Sequence, residues 1–115
     1  GSLNIYLEAS DVQNDITVTW QNKDHAAKVE IVTPSGERYS EEVTPSNLFV
    51  NEYGKQVFRL PRLEAGNYTI NVNGSDLGRV WVDNTPVGTD AAPITDATQP
   101  AEAEAETEAA TQAAQ

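Results

Sequence analysis

The chain has 115 residues, with 18 Asp and Glu against 7 Lys and Arg, a net charge of −11, one His, and neither Cys nor Met. This balance argues against nucleic acid, which demands clustered cations, and the missing thiols exclude disulfides, thiolate metal sites and cysteine nucleophiles. No stretch reaches the roughly 18 apolar residues of a helical membrane span.

Gly1-Ser2 reads as an expression scar outside the fold, and a chain without Met reads as a fragment or a processed form. From Leu3 onward the apolar pattern has period two, the mark of strands with one buried face. Leu3, Ile5 and Leu7 alternate with Asn4 and Tyr6. After a polar connection at residues 11–15, Ile16, Val18 and Trp20 alternate with Thr17 and Thr19. Val29 and Ile31 follow, and then Pro34-Ser35-Gly36-Glu37, whose turn residues predict a hairpin returning through Arg38 to Ser40. Residues 41–55 hold Leu48, Phe49 and Val50 between Pro45 and Gly54, room for a short edge strand. Phe58 and Leu60, then Tyr68, Ile70 and Val72, then Val80 and Val82 continue the alternation. Asn73-Gly74-Ser75-Asp76 predicts a second hairpin turn. With Leu63, these inward positions form the expected core. Six or seven short strands at roughly 8–12-residue spacing predict an all-β antiparallel sandwich of about seven strands over residues 3–83.

Composition shifts at residue 84. All seven cations and all eight aromatics lie before it. Residues 84–115 carry six acids, no cation, and only Val87 and Ile94 as large apolar residues. So little apolar surface cannot offset the roughly 1–2 kcal/mol per residue of backbone ordering, which predicts a disordered acidic linker. Its last 15 residues are rich in Ala and Glu, but the glutamates repel at i,i+4 with no lysine to pair, so a stable helix is not expected.

Two stretches narrow the class. Ile16-Thr17-Val18-Thr19-Trp20 is similar to the second strand of fibronectin type III domains. Leu60-Pro61-Arg62-Leu63-Glu64-Ala65-Gly66-Asn67-Tyr68, followed by Ile70 and Val72, resembles the E–F corner of immunoglobulin-like and fibronectin-like modules. Thr33 to Tyr39 also resembles the C–C′ hairpin of bacterial immunoglobulin-like domains. The resemblance implies that Tyr68 is the corner tyrosine, bonding backbone a few residues upstream, and that Trp20 is a core residue. The inter-sheet cysteines of antibody domains are absent, as is any Arg-Gly-Asp sequence.

The residues do not assemble into catalytic or metal-binding chemistry. His25 lies in the polar run Asn22-Lys23-Asp24 without an evident nucleophile. Glu41 and Glu42 point to opposite faces if extended. Asp11, Asn14, Asp15, Asp83 and Asn84 offer oxygens but no calcium-loop spacing. Asn67-Tyr68-Thr69 and Asn73-Gly74-Ser75 match the glycosylation pattern, yet read better as strand and turn. No cofactor signature is present.

The expected function is therefore a non-enzymatic spacer or adhesion module of an extracellular or cell-surface protein, monomeric, with a protein or glycan partner. The alternative is a carbohydrate-binding module with exposed aromatics on one sheet face. Trp81 is the candidate. Burying Val80 and Val82 exposes it, whereas the opposite phase would turn Arg79 and Asp83 toward the core. A fibronectin-like order would set its strand beside the one carrying Thr69 and Asn71, with Val32 one strand further. The plainer reading has Trp81 shielded by Tyr6 or Val87.

Overall fold

The computed structural model describes residues 1–87. The linker expected over residues 84–115 lies outside the described residues from position 88 onward. The elements are β1 (Ser2–Leu7), β2 (Gln13–Trp20), β3 (Lys28–Val32), β4 (Arg38–Ser40), a 3-10 turn (Pro45–Asn47), β5 (Leu48–Glu52), β6 (Lys55–Leu60), β7 (Gly66–Asn73) and β8 (Val80–Val87). They form two antiparallel four-stranded sheets, in the orders β1-β7-β3-β4 and β5-β6-β2-β8.

The period-two runs of the sequence become the inner faces of these sheets. Ile16, Val18, Trp20, Val29, Ile31, Phe58, Leu60, Leu63, Tyr68, Ile70 and Val72 are all buried. Trp20 fits in the core because its one polar atom has a partner: the indole N–H donates to His25 O at 2.8 Å. Tyr68, 1% exposed, donates its hydroxyl to Glu64 O at 2.8 Å, closing the corner between β6 and β7. The Pro34–Glu37 turn joins β3 to β4 as a hairpin, with Thr33 N–H donating to Glu37 O at 2.8 Å. Gly36 takes the positive φ (95°) that the turn needs. Residues 48–52 form the edge strand β5.

Other expectations change. Leu3 is 36% exposed, and Ile5 and Leu7 are only half-buried, because β1 lies at the edge of its sheet with one side uncovered. Val80 and Val82 are half-buried for the same reason on β8. Val57 and Leu77 join the buried set, although neither has a place in the alternating pattern. Gly1 and Ser2 belong to the sheet: Gly1 exchanges backbone bonds with Val72 at 2.7 and 2.8 Å, and Ser2 pairs with Asn71. Strand β8 runs on through Asn84–Val87, pairing with Gln13–Ile16, four residues beyond the boundary set at residue 83. Composition could not show this, because a strand edge needs backbone bonds more than apolar side chains.

The largest difference is topological. Asn73–Asp76 is no hairpin turn, since β7 and β8 lie in different sheets. The edge of β7 where a hairpin partner would pair is taken by β1, along Ser2–Leu7 against Gly66–Asn71. The connection instead crosses the end of the sandwich, anchored by buried Leu77. Asn22 N–H donates to Leu77 O at 2.9 Å and Gln21 N–H to Arg79 O at 2.8 Å, which delivers the chain to the free edge of β2.

Candidate functional site

The outer faces of the two sheets differ in kind. On the β1-β7-β3-β4 sheet the outward side chains bond one another across strands. Ser2 Oγ donates to Asn71 Oδ1 at 2.6 Å, Asn71 Nδ2 to Glu30 Oε1 at 3.2 Å, and Arg38 to Glu30 Oε2 at 2.8 Å. Thr69 Oγ1 donates to Asn4 Oδ1 at 3.0 Å. These bonds, Arg38 first and Asn71 second, hold the Glu30 carboxyl below its ordinary 4.5. Asn71 and Thr69 thus lie on one face with Val32, paired to Thr69 by register, but their polar groups are already engaged.

Trp81 is not with them. It sits on β8 in the other sheet, on the opposite outer face, because β8 pairs with β2 and not with β7. The expected surface of Trp81, Asn71, Thr69 and Val32 therefore does not exist as one patch. Tyr6 lies on β1 of the other sheet, and Val87 at the far end of β8, so neither shields the indole. Val80 and Val82 do turn inward and Trp81 outward, 47% exposed.

The neighbours that the fold supplies come from two other stretches of chain, residues 19–23 and 52–55. Register places Glu52, Lys55, Thr19 and Trp81 in one row across β5, β6, β2 and β8. At adjacent-strand spacings of about 4.8 Å, the row spans about 14 Å. The β5–β6 turn adds Tyr53, 84% exposed, and the β2–β3 loop adds Lys23 and Gln21. Trp81, Tyr53, Lys23, Lys55, Glu52 and Gln21 line one open depression of about 360 Å³.

Each contributor is held in place. Gly54 O accepts from Trp20 N–H at 3.0 Å, locking the turn that presents Tyr53. Gly54 has φ 79°, and a Cβ there would meet the Lys23 stem at 2.6 Å, so only glycine lets the lysine lie across this turn. The loop bearing Lys23 is pinned by the Asn22–Leu77 and Trp20–His25 bonds. Gln21 Oε1 accepts from Arg79 N–H at 3.1 Å, just ahead of β8.

The rest of this face is packed. Val57, flanked by Val50 and Thr17, is 5% exposed despite pointing outward. Arg59 makes two bonds to Asp15, at 2.8 and 3.0 Å, and its guanidinium lies 3.7 Å from the centre of the Phe49 ring. Arg59 is therefore committed to its neighbours, whereas Lys23 and Lys55 form no ion pair among the described residues.

His25 lies in the β2–β3 loop, and among the described residues no three His, Asp or Glu side chains gather as a metal site. Asn14 is 1% exposed and bonds Ser10, Val12 and Asn84, which makes it a structural amide. No helix of the described residues is long and apolar enough to cross a membrane. A scan against protein-family models finds no match, and a search of curated proteins finds no relative.

Proposed function

We propose that this domain is a non-enzymatic immunoglobulin- or fibronectin-like module, serving as a spacer or adhesion unit of an extracellular or cell-surface protein. Its kinship lies in the two-sheet sandwich and the Tyr68 corner, and not in the order of the terminal strands. The observation that carries the spacer role is that the first strand starts and the last strand finishes at opposite poles of the sandwich. β1 begins beside Asn71, at the pole that holds Trp20, Lys55 and Val80. β8 ends at Val87 beside Gln13, at the opposite pole. A module threaded from pole to pole takes tension along its strands. That tension slides β1 along β7 and β8 along β2, so each ladder of backbone bonds is loaded together. The Ala-, Thr- and Pro-rich acidic sequence after Val87 has the composition of a stalk.

Single-molecule force spectroscopy tests this reading. Handles at the N-terminus and Val87→Cys should require a higher unfolding force than handles at Glu8→Cys and Val87→Cys. The latter pair puts both attachments at one pole and peels β1 away strand-end first. Equal forces in the two geometries would remove the mechanical argument.

A second reading, a carbohydrate-binding module, is favoured by one observation: Trp81 and Tyr53 line the same depression. Exposed rings beside polar groups suit a sugar, which has an apolar face and a hydroxyl rim.

A further inference from the structure

The charges around the depression point to a narrower ligand class. Residues 1–83 carry twelve acids against seven cations, so two lysines on one depression without an ion pair among the described residues run against the local balance. Lys23 and Lys55 reach the same depression from different segments, and neither forms an ion pair among the described residues. Glu52 faces Lys55 in register, yet the two do not close to salt-bridge distance. Lys28, Arg38 and Arg59 are engaged, with Glu42, Glu30 and Asp15 in turn, while Arg62 and Arg79, which also form no ion pair among the described residues, do not line the depression.

We infer that the Trp81 depression is a binding site for an acidic saccharide, an inference that rests on the carbohydrate-binding reading above. The indole of Trp81 stacks on the C–H face of a sugar ring, and Tyr53 borders it at the β5–β6 turn. Lys23 and Lys55 take the carboxylate or sulfate, while Glu52 and Gln21 accept from or donate to hydroxyls. The 14 Å row from Glu52 to Trp81 offers length for a chain of sugar units. Because the turn, loop and strand are each fixed by backbone bonds, little backbone ordering accompanies binding, and the ordering that remains is that of the side chains. A polyanionic peptide would satisfy the lysines but leave the rings without a stacking partner.

The test is a glycan array holding uronic-acid, sialic-acid and sulfated oligosaccharides, each beside its neutral parent, with poly-glutamate as a polyanion control. Any hit is titrated by tryptophan fluorescence. The expected result is at least tenfold preference for an acidic member over its neutral parent. Trp81→Ala should weaken it at least tenfold, and the Lys23→Gln/Lys55→Gln double variant should weaken the acidic member by a larger factor than its neutral parent, which shrinks the preference. Circular dichroism melting verifies that each variant is folded. Equal binding of acidic and neutral sugars through Trp81 overturns the acidic specificity and leaves the carbohydrate reading standing. Binding to poly-glutamate as strong as to any sugar overturns both, as does an array without an acidic hit or a neutral one.

Discussion

The two outer faces of this sandwich carry similar numbers of polar side chains but offer different things to a partner. On the β1-β7-β3-β4 sheet, Ser2, Asn71, Glu30 and Arg38 form a continuous chain of bonds across all four strands. On the β5-β6-β2-β8 sheet, one end is closed by the Asp15–Arg59–Phe49 cluster, and at the other Trp81, Tyr53, Lys23 and Lys55 stand open among the described residues. The difference teaches that polarity and exposure do not by themselves make a surface available. A group already bonded must give up that bond before it can recognise anything, whereas an uncovered ring or unpaired ammonium loses only water.

The sharpest break of this comparison uses the two tryptophans. Trp20→Ala removes a buried indole and its bond to His25 O, with an expected loss of about 3–5 kcal/mol in chemical denaturation. Trp81→Ala should cost no more than about 1 kcal/mol, because the ring is already half in water. Fluorescence separates them as well: Trp81→Ala should remove the red-shifted, quencher-accessible component and leave the blue-shifted one. A large stability loss in Trp81→Ala would make that indole a packing residue.

A smaller effect belongs to the corner. Tyr68→Phe keeps the ring and deletes the bond to Glu64 O, with an expected loss of about 0.5–1.5 kcal/mol, read as a lower denaturation midpoint at unchanged slope. A neutral result would show that ring packing alone holds the corner.

The smallest expected effect concerns the bonded face. Glu30 has a folded pKa below its ordinary 4.5, so folding favours its charged form. Its contribution is complete above about pH 4.5 and fades as pH falls toward the lowered folded value. Glu30→Gln should therefore flatten part of the acid limb of a stability-against-pH profile, while changing little at neutral pH beyond the exposed Arg38 pair. An acid limb identical to that of the parent would mean that the chain of bonds on this face contributes nothing to folding.

Much of this was legible locally. Strand phase was readable wherever an apolar residue faced a polar neighbour, as in Ile16-Thr17-Val18-Thr19-Trp20, because a one-residue slip would bury the threonines. The Trp81 phase was readable for the same reason, since its alternative would have turned Arg79 and Asp83 inward. Val57 was not, because it is an outward residue covered by neighbours from two other strands. Leu77 was not either, because a single apolar residue in a connection has no period.

What the sequence determined by itself, then, is the alternation, the β3–β4 turn, the Tyr68 corner and the resulting two-sheet antiparallel architecture. These follow from side-chain period, turn chemistry and short-range bonds, all of which act within a few residues. Which strand lies beside which was decided only by the tertiary structure. Backbone N–H and C=O groups are alike along every strand, so backbone bonding alone does not tell whether β7 takes β1 or β8. Competition among distant segments for the same free edge, together with Leu77 anchored across the pole, sends β8 to β2. That choice separates Trp81 from Asn71, Thr69 and Val32 and places it in one row with Thr19, Lys55 and Glu52.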